Sequence, residues 1–238
     1  MGDPDGTAPD RTAPDGTAPG ANAAIDVVAV HVGTPSLLAE QRGERVYSGI
    51  SKRPVDSSTT LWLSLLNLAG DGQADLSVHG GPDKAVYAYP SEHLDGWTAE
   101  LGGDDLGPAP FGENLSTRGA TESDVRIGDV WSWGGALLQV CQPRWPCFKL
   151  ALHRGRADVQ TRMRSTGRTG WYLRVLEPGE VEVGAPIAVV RADAAGLTVH
   201  DAHLAMADRA VEDRARTEAL ARHPALAAEW RDPLVERL

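Results

Sequence analysis

Between about residue 24 and residue 190, short apolar or alternating runs are separated by Gly and Pro residues. The runs IDVVAVHVG, ERVYSGISKRP and AVYAYP predict strands, and WYLRVLEPGEVEVGAPIAVV predicts two strands around a Glu-Pro-Gly-Glu turn. Only isolated helices interrupt them, namely SEHLDGWTAEL with Ser91 as its cap and KLALHRGRADVQTRMRSTG, which ends at Gly167. Many short strands with turn-rich connections favour a mainly β fold, a closed or nearly closed β-barrel, over a parallel α/β sheet.

The pattern changes at about residue 192, where apolar residues take a helical spacing. A capping-box-like start at Thr198 introduces the first helix, and prolines divide the remainder into short helices. The positions that carry this interpretation are the stripe Leu204, Ala207 and Val211, the pair Leu226 and Trp230, and the prolines Pro224 and Pro233. We therefore predict a main β domain over residues 23–191 and a small domain of about three helices over residues 192–238.

The first 22 residues contain a DGTAP-like repeat and no large apolar side chain after Met1. Such a segment cannot bury enough surface to offset the entropy lost on ordering, so it is predicted to be a disordered tail. A binding role for the tail is the alternative.

Composition and charge exclude several classes of function. A net charge of −10 argues against a nucleic-acid binder and leaves room for a basic protein partner. No apolar run has the length of a transmembrane helix, and the first residues do not resemble a secretory signal. The two cysteines form neither a disulfide framework nor a zinc-binding spacing, so we expect a reducing compartment, the cytoplasm, and no membrane partner.

The segment QVCQPRWPCFKL holds both cysteines. Cys147 has Arg144 three residues before it and Lys149 two residues after it, and prolines on either side of Trp145 stiffen the loop. Cations near a thiol favour the thiolate, which is the form that ligates metals and attacks electrophiles. Cys141 lies on an alternating strand and is expected to be buried. For Cys147, a small buried hydrophobe and a strained pairing with Cys141 are the alternatives.

A second candidate segment is HGGPDK. Gly80 and Gly81 would let the backbone approach a ligand and aim N–H groups into an anion-binding concavity. His79 and Lys84 would add a donor and a charge. A turn before the following strand would give the same pattern.

Two further segments carry polar side chains suited to binding. In FGENL, Asn114 would present an amide to a heterocycle and Glu113 would move protons, although a strand start explains the segment equally well. Arg162, Arg164 and Arg168 form the densest positive cluster, and guanidinium groups suit phosphate. A solvated helix face is the alternative for this cluster.

Motifs for the commonest enzyme classes are missing. The sequence has no GxSxG, Walker-type P-loop, CxxC or HExxH motif, so hydrolase, nucleotide and zinc functions have no support. His200 and His203 form an HxxH pair without further ligands, and we expect them to be surface or capping residues.

Five segments, in this order, resemble the MOSC family, the C-terminal domain of molybdenum cofactor sulfurases: HGGPDKAVYAYP, FGENL, IGDVW, QPRWPCFKL and GRTGWYLRVL. Within the family, the chain is similar to the YiiM-type branch, whose members carry a short three-helix domain after the MOSC domain. The resemblance covers about 170 residues from Ala24 to Val190, and the helices after residue 192 suit that domain.

This resemblance implies a β-barrel-like domain that holds molybdenum cofactor (Mo-molybdopterin), with Cys147 as the molybdenum ligand. It also implies reduction of N-hydroxylated compounds such as 6-hydroxylaminopurine, with a proton donor among His79, Asp83 and Glu113. Trp145 would narrow the pocket or stack on a planar base. The implied cofactor-binding residues are Gly80, Gly81, Lys84, Asn114, Arg144, Lys149, Arg164 and Arg168.

A reductase of this kind requires a partner. The chain has no nucleotide motif and too few cysteines for an iron–sulfur cluster, so a separate flavoprotein or iron–sulfur protein must donate electrons. A homodimer is an expectation from the family alone. Two other functions stay open: a persulfide carrier that uses Cys147 for sulfur transfer, and a module that binds or stores the cofactor without turnover.

Overall fold

A computed structural model describes residues 24–41, 43–74, 80–102 and 105–238. The predicted disordered tail over residues 1–22 lies outside the described residues. Within the described ranges, no helix is both long enough and apolar enough to cross a membrane.

Seven strands close into a barrel in the order β12-β8-β9-β10-β6-β7-β1, and β1 pairs back with β12. Neighbouring strands are antiparallel except β6 and β7, which are parallel. The mainly β fold is therefore confirmed. The strands are β1 (Ala24–Val32), β2 (Ser36–Gln41), β3 (Glu44–Ser48), β4 (Arg53–Pro54), β5 (Thr60–Leu63), β6 (Val86–Pro90), β7 (Leu115–Arg118), β8 (Val130–Trp133), β9 (Ala136–Pro143), β10 (Trp171–Glu177), β11 (Gly179–Glu182) and β12 (Ile187–Arg191).

The strands outside the ring extend or flank it. β4 pairs with the end of β1, β2 pairs with β3, and β5 pairs with β11. The Glu-Pro-Gly-Glu turn does separate two strands, as predicted. However, β11 leaves the barrel after this turn and pairs with β5 instead of folding back on β10.

The barrel interior follows the alternation of side chains along the strands. On β9, Leu138 and Val140 point into the core and are fully buried, whereas Leu137 and Gln139 are half-buried on the other face. Burial of each such aliphatic side chain contributes roughly 1.5–3 kcal/mol.

Three helices lie between the strands and differ in detail from the prediction. Ser91 is not a helix cap, because it begins a 3-10 turn and His93 occupies the N-cap position of α1. The single helix predicted around residues 149–167 is two helices, because Gly155 adopts a left-handed conformation (φ 63°) and ends the first of them. The second ends at Gly167, as predicted. The helices are α1 (Leu94–Leu101), α2 (Phe148–Arg154) and α3 (Asp158–Thr166).

The C-terminal region contains the three predicted helices, α4 (Val199–Ala207), α5 (Arg214–Ala221) and α6 (Ala228–Glu236). α4 begins with the expected capping box: the Asp201 N–H donates to the Thr198 hydroxyl at 3.0 Å, and the Thr198 N–H donates to the Asp201 carboxylate at 2.9 Å. Pro224 separates α5 from α6, but Pro233 does not divide the chain and lies inside α6.

The predicted apolar stripe on α4 is wrong. Leu204 is 39% exposed and Ala207 is exposed, whereas Ala202 and His203 are buried. His203, expected to be a surface or capping residue, is not on the surface, but its hydrogen bond to the last turn of α3 is a capping contact. Its Nε2 donates to the carbonyl oxygen of Arg164, in the last turn of α3, at 2.8 Å. The other buried residues of α4 are Val199, Ala202 and Ala205, so a different apolar face from the predicted one packs against the core.

Candidate functional site

A cleft of about 280 Å³ lies where β6, β9 and β10 meet their loops and helix α6. This volume is close to the lower end of small-molecule sites, roughly 300 Å³. Its wall is built from the loop after β3, residues 71–74, residues 111, 112 and 114, the cysteine loop and the start of α6.

Cys147 is the cysteine that lines the cleft. It occupies the N-cap position of α2 with an extended backbone and is half-buried. Both cysteines are free thiols, so the alternative of a pairing between them does not hold. Cys141 is fully buried, as predicted; burial raises the pKa of its thiol to about 12, and its Sγ donates to the carbonyl oxygen of Asp83 at 3.2 Å. Only Cys147 can offer sulfur to a ligand in the cleft.

Among the residues that the structure describes, four cations line the same cleft. The chain has three lysines, Lys52, Lys84 and Lys149, and all three are in the wall. The fourth cation is Arg144, whose buried guanidinium lies over the ring of Tyr87 at 5.0 Å. Burial disfavours the charge of Arg144, but the neighbouring tyrosines and Cys147 outweigh it and raise its pKa. The cleft is thus a cationic site in a chain with a net charge of −10.

Helix α6 contributes two residues to the wall that the sequence did not indicate. Glu229 forms an ion pair with Lys84 at 2.5 Å, and Trp230 packs edge-on against Trp145, with ring centroids 5.8 Å apart. The C-terminal helices therefore complete the site as well as the fold. The sequence shows a charged residue at 229 and an aromatic residue at 230. It does not show that they contact the cysteine loop, because about 80 residues separate them from it.

A buried polar network forms another part of the wall. The carboxylate of Asp71 accepts the Gly33 N–H at 2.9 Å and the Asn114 amide at 2.9 Å, and it contacts the ammonium group of Lys52. Asn114 also accepts the Tyr87 N–H at 3.0 Å. Asn114 thus lies in the cleft wall, as the sequence suggested, with its amide held by protein partners.

The candidate proton donors Glu113 and Asp83 lie outside the cleft lining. Glu113 is fully buried, accepts the Phe111 N–H at 3.0 Å, and has a pKa raised to about 6 by burial. Asp83 forms an ion pair with Arg174 at 2.8 Å. The third candidate, His79, lies outside the described residues.

The remaining predicted cofactor residues surround the cleft without lining it, within the part of the chain that the structure describes. Arg164 stacks on Trp145 at 5.0 Å and donates to the Pro146 carbonyl oxygen at 2.7 Å, so it supports the cysteine loop. Arg168 pairs with Glu100 at 2.7 Å.

The two glycines of HGGPDK precede the 3-10 turn Pro82–Lys84 and are likewise absent from the described cleft lining. Gly81 has a positive φ of 97°, and its N–H donates to Gln73 Oε1 at 2.8 Å. Since Gln73 lines the cleft, this bond ties the glycine loop to the wall.

Aromatic side chains and one open acceptor suit the cleft to a planar heterocycle. Tyr87, Phe111 and Tyr172 are in the wall, and Trp145 lies at its rim with 38% of its surface exposed. The Oε1 atom of Gln142, also a lining residue, is buried and has no hydrogen-bond partner among the described residues. An N–H group of a bound ring would satisfy it.

Comparison with known proteins identifies the family. The sequence model of the MOSC domain family matches residues 75–188 of this chain. The uncharacterized protein YflK of Bacillus subtilis (strain 168) is 44% identical over 177 residues, which are 74% of this chain and 78% of that protein. The chain belongs to the MOSC domain family.

Other relatives show which branch of the MOSC family this chain resembles. The crystal structure of YiiM from Geobacillus stearothermophilus has a TM-score of 0.74 and 34% identity to it, covering 90% of this chain and 99% of YiiM. The resemblance to the YiiM-type branch is therefore confirmed. A Gibberella moniliformis (strain M3125 / FGSC 7600) protein named reductase is 35% identical over 153 residues, which are 62% of this MOSC chain but 26% of that longer protein.

Proposed function

We propose that this protein is a molybdenum-cofactor-dependent reductase of N-hydroxylated compounds, such as 6-hydroxylaminopurine and related bases. The observation that carries the proposal is a free thiol, Cys147, in a cleft whose wall holds all three lysines of an acidic chain. Membership of the MOSC family, which is associated with molybdenum cofactor, supports it. The similarity to a protein named reductase supports the redox class.

The residues of the cleft fit molybdenum cofactor, a pterin dithiolene that bears a phosphate. Cys147 offers the soft sulfur that molybdenum accepts. Within the described residues, no group of three or more His, Cys, Asp or Glu side chains could hold a metal ion, so the dithiolene would have to supply further ligands. Lys84, Arg144 and Lys149 would hold the phosphate, and Gln142 would accept a pterin N–H.

The protein positions the substrate and excludes water around it. When bound, the cofactor supplies two-electron redox chemistry, and a separate flavoprotein or iron–sulfur protein donates the electrons. Trp145, exposed at the rim and braced by Arg164 and Trp230, would stack on a planar base.

Molybdenum content tests the proposal. Protein purified from molybdate-replete cells should contain stoichiometric molybdenum, and Cys147→Ala should lose it. Cys141→Ala is the matched control, because this thiol is buried away from the cleft and its removal should leave the metal content unchanged. Wild type without molybdenum would contradict the proposal, and a persulfide on Cys147 in such protein would favour sulfur transfer.

Turnover is measured on the same metal-loaded protein. Reduction of 6-hydroxylaminopurine with a chemical electron donor should yield the amine, and Cys147→Ala should not support the reaction. A metal-loaded wild type that is inert toward N-hydroxylated compounds would instead favour cofactor storage.

A further inference from the structure

Lysine occurs in this chain only in the wall of the cleft, and every other basic side chain apart from the histidines is an arginine. The two residue types differ chemically. Arginine stays protonated in proteins, whereas lysine changes its pKa readily on burial and can give up a proton. A lysine in the cleft can therefore supply a proton as well as a charge.

Lys52 is the most enclosed of these lysines. Its side chain is 7% exposed, its ammonium group contacts the equally buried carboxylate of Asp71, and it still reaches the cleft surface. The Gly33 N–H and the Asn114 amide donate hydrogen bonds to the Asp71 carboxylate and hold it in place. The carboxylate in turn fixes the position of the Lys52 ammonium group.

We propose that Lys52 is the proton donor for the reduction, delivering a proton to the oxygen that leaves the substrate nitrogen. This inference rests on the proposed function. It replaces the candidates His79, Asp83 and Glu113 with a residue that the sequence did not single out.

The step balances with the electron donor already named. The N–OH compound takes up two electrons from the flavoprotein or iron–sulfur protein and two protons, the N–O bond breaks, and the products are the N–H compound and water. One proton comes from the Lys52 ammonium group, which becomes a neutral amine and is recharged from water in the cleft. The second proton comes from solvent.

Burial of Lys52 favours this role, and the carboxylates that face its ammonium group oppose it. Burial lowers the pKa of Lys52, opposed by the carboxylates of Asp71 and Glu113, so the ammonium group is a stronger acid than an exposed lysine. The pKa of His31 is lowered to about 4, first by its own burial and then by the charge of Lys52, so this imidazole is neutral at pH 7. A general acid works best with a pKa near the working pH.

The other groups of the wall are less suited. Arg144 is a guanidinium whose pKa is raised. Lys84 and Lys52 are both ion-paired, but the partner of Lys84, Glu229, is 56% exposed, whereas the partner of Lys52, Asp71, is buried. Glu113 and Asp83 are absent from the described lining of the cleft. Lys149 serves as the comparison, since within the described residues its side chain forms no ion pair, unlike those of Lys52 and Lys84.

Amine labelling of the metal-free protein tests the acidity of Lys52 independently of turnover. The rate of acetylation is followed from pH 6 to pH 11 by peptide-resolved mass spectrometry, and the pH midpoint is used because burial also slows the absolute rate. The midpoint of Lys52 should fall below that of Lys149. Equal midpoints, or a higher one for Lys52, would overturn the proposal.

Turnover tests the role itself. Lys52→Arg keeps the positive charge but cannot donate at working pH, so kcat should fall about 100-fold or more, with molybdenum content and KM little changed. Lys52→Met should lose the same activity, and the exposed Arg222→Gln should behave as wild type. If wild type turns over and Lys52→Arg retains its rate and pH profile, the role of Lys52 is refuted and the reductase function stands. If metal-loaded wild type is inert, the reductase function fails and the role of Lys52 fails with it.

Discussion

Glu113 is a fully buried carboxylic acid next to the cleft lining residue Phe111. Its protonation is coupled to folding. Its pKa is raised from 4.5 to about 6, chiefly because burial disfavours the charged form. A raised pKa means that the folded protein binds the proton more tightly than the unfolded chain. The stability from this group is therefore fully present below pH 4.5 and is lost as the pH rises through about 6.

Replacement of Glu113 by Gln should remove this pH dependence. The free energies of unfolding of wild type and Glu113→Gln are measured in urea at pH 5 and pH 7.5. The difference should move by about 1 kcal/mol in favour of the variant at the higher pH, because at pH 5 the unfolded chain is already partly ionised. The comparison with wild type is needed because His31, whose pKa is lowered to about 4, acts in the opposite direction over the same range. A difference that is the same at both pH values would contradict the raised pKa.

At the scale of elements, two glycines with the same backbone conformation have different surroundings. Gly155 (φ 63°) ends α2, and a Cβ there would meet nothing within 4 Å. Gly170 (φ 64°) leads into β10, and a Cβ there would lie 2.3 Å from the carbonyl oxygen of Ala88 on β6. Gly155 is required only by its left-handed backbone conformation. Gly170 is required by the same conformation and also by the close packing of β6 and β10.

Alanine at each position separates the two requirements. Gly155→Ala should cost about 1–2 kcal/mol, the strain of a left-handed residue. Gly170→Ala should cost clearly more, because the methyl group also forces β6 and β10 apart next to Tyr87. Urea unfolding measures the free energy of unfolding of both variants. Equal losses of stability would show that β6 and β10 can move apart without destabilising the fold.

At the scale of the whole molecule, the barrel and the C-terminal helices share one hydrophobic core. Val199 of α4, Leu220 of α5 and Trp230 of α6 belong to the same buried cluster as Leu138 and Val140 of β9. Trp230 also lines the cleft, so one side chain joins the helices, the cysteine loop and the site. The helices are therefore expected to unfold together with the barrel.

Calorimetry of wild type and Trp230→Ala checks this coupling. Wild type should unfold in a single transition, and the variant should unfold in a single transition at lower temperature, having lost about 3–5 kcal/mol. Trp230→Phe is the conservative control and should lose less. Two separate transitions, with only one of them shifted by the substitution, would mean that the helices fold independently.

Local patterns in the sequence were sufficient for most of the architecture. Alternation on β9, the capping box at Thr198 and the glycine at the end of α3 all depend on neighbours within a few residues, and each was predicted. The cysteine loop and the resemblance to the MOSC family were visible for the same reason, since each motif is continuous in sequence. The buried face of α4 was not, because Val199, Ala202 and Ala205 pack against core residues that are distant in sequence.

The sequence by itself determined the class of fold, the family and the thiol that faces the cleft. Only the tertiary structure showed that Lys52, Asp71 and Glu229 join Cys147 in one cleft, and that Glu113 and Arg168 do not line it within the described residues. The reason is physical: the chain positions that build the cleft wall are separated by up to about 180 residues. Barrel closure and helix packing bring them together, and burial then changes the pKa of Lys52 and Glu113. Neither effect can be calculated from residue type alone.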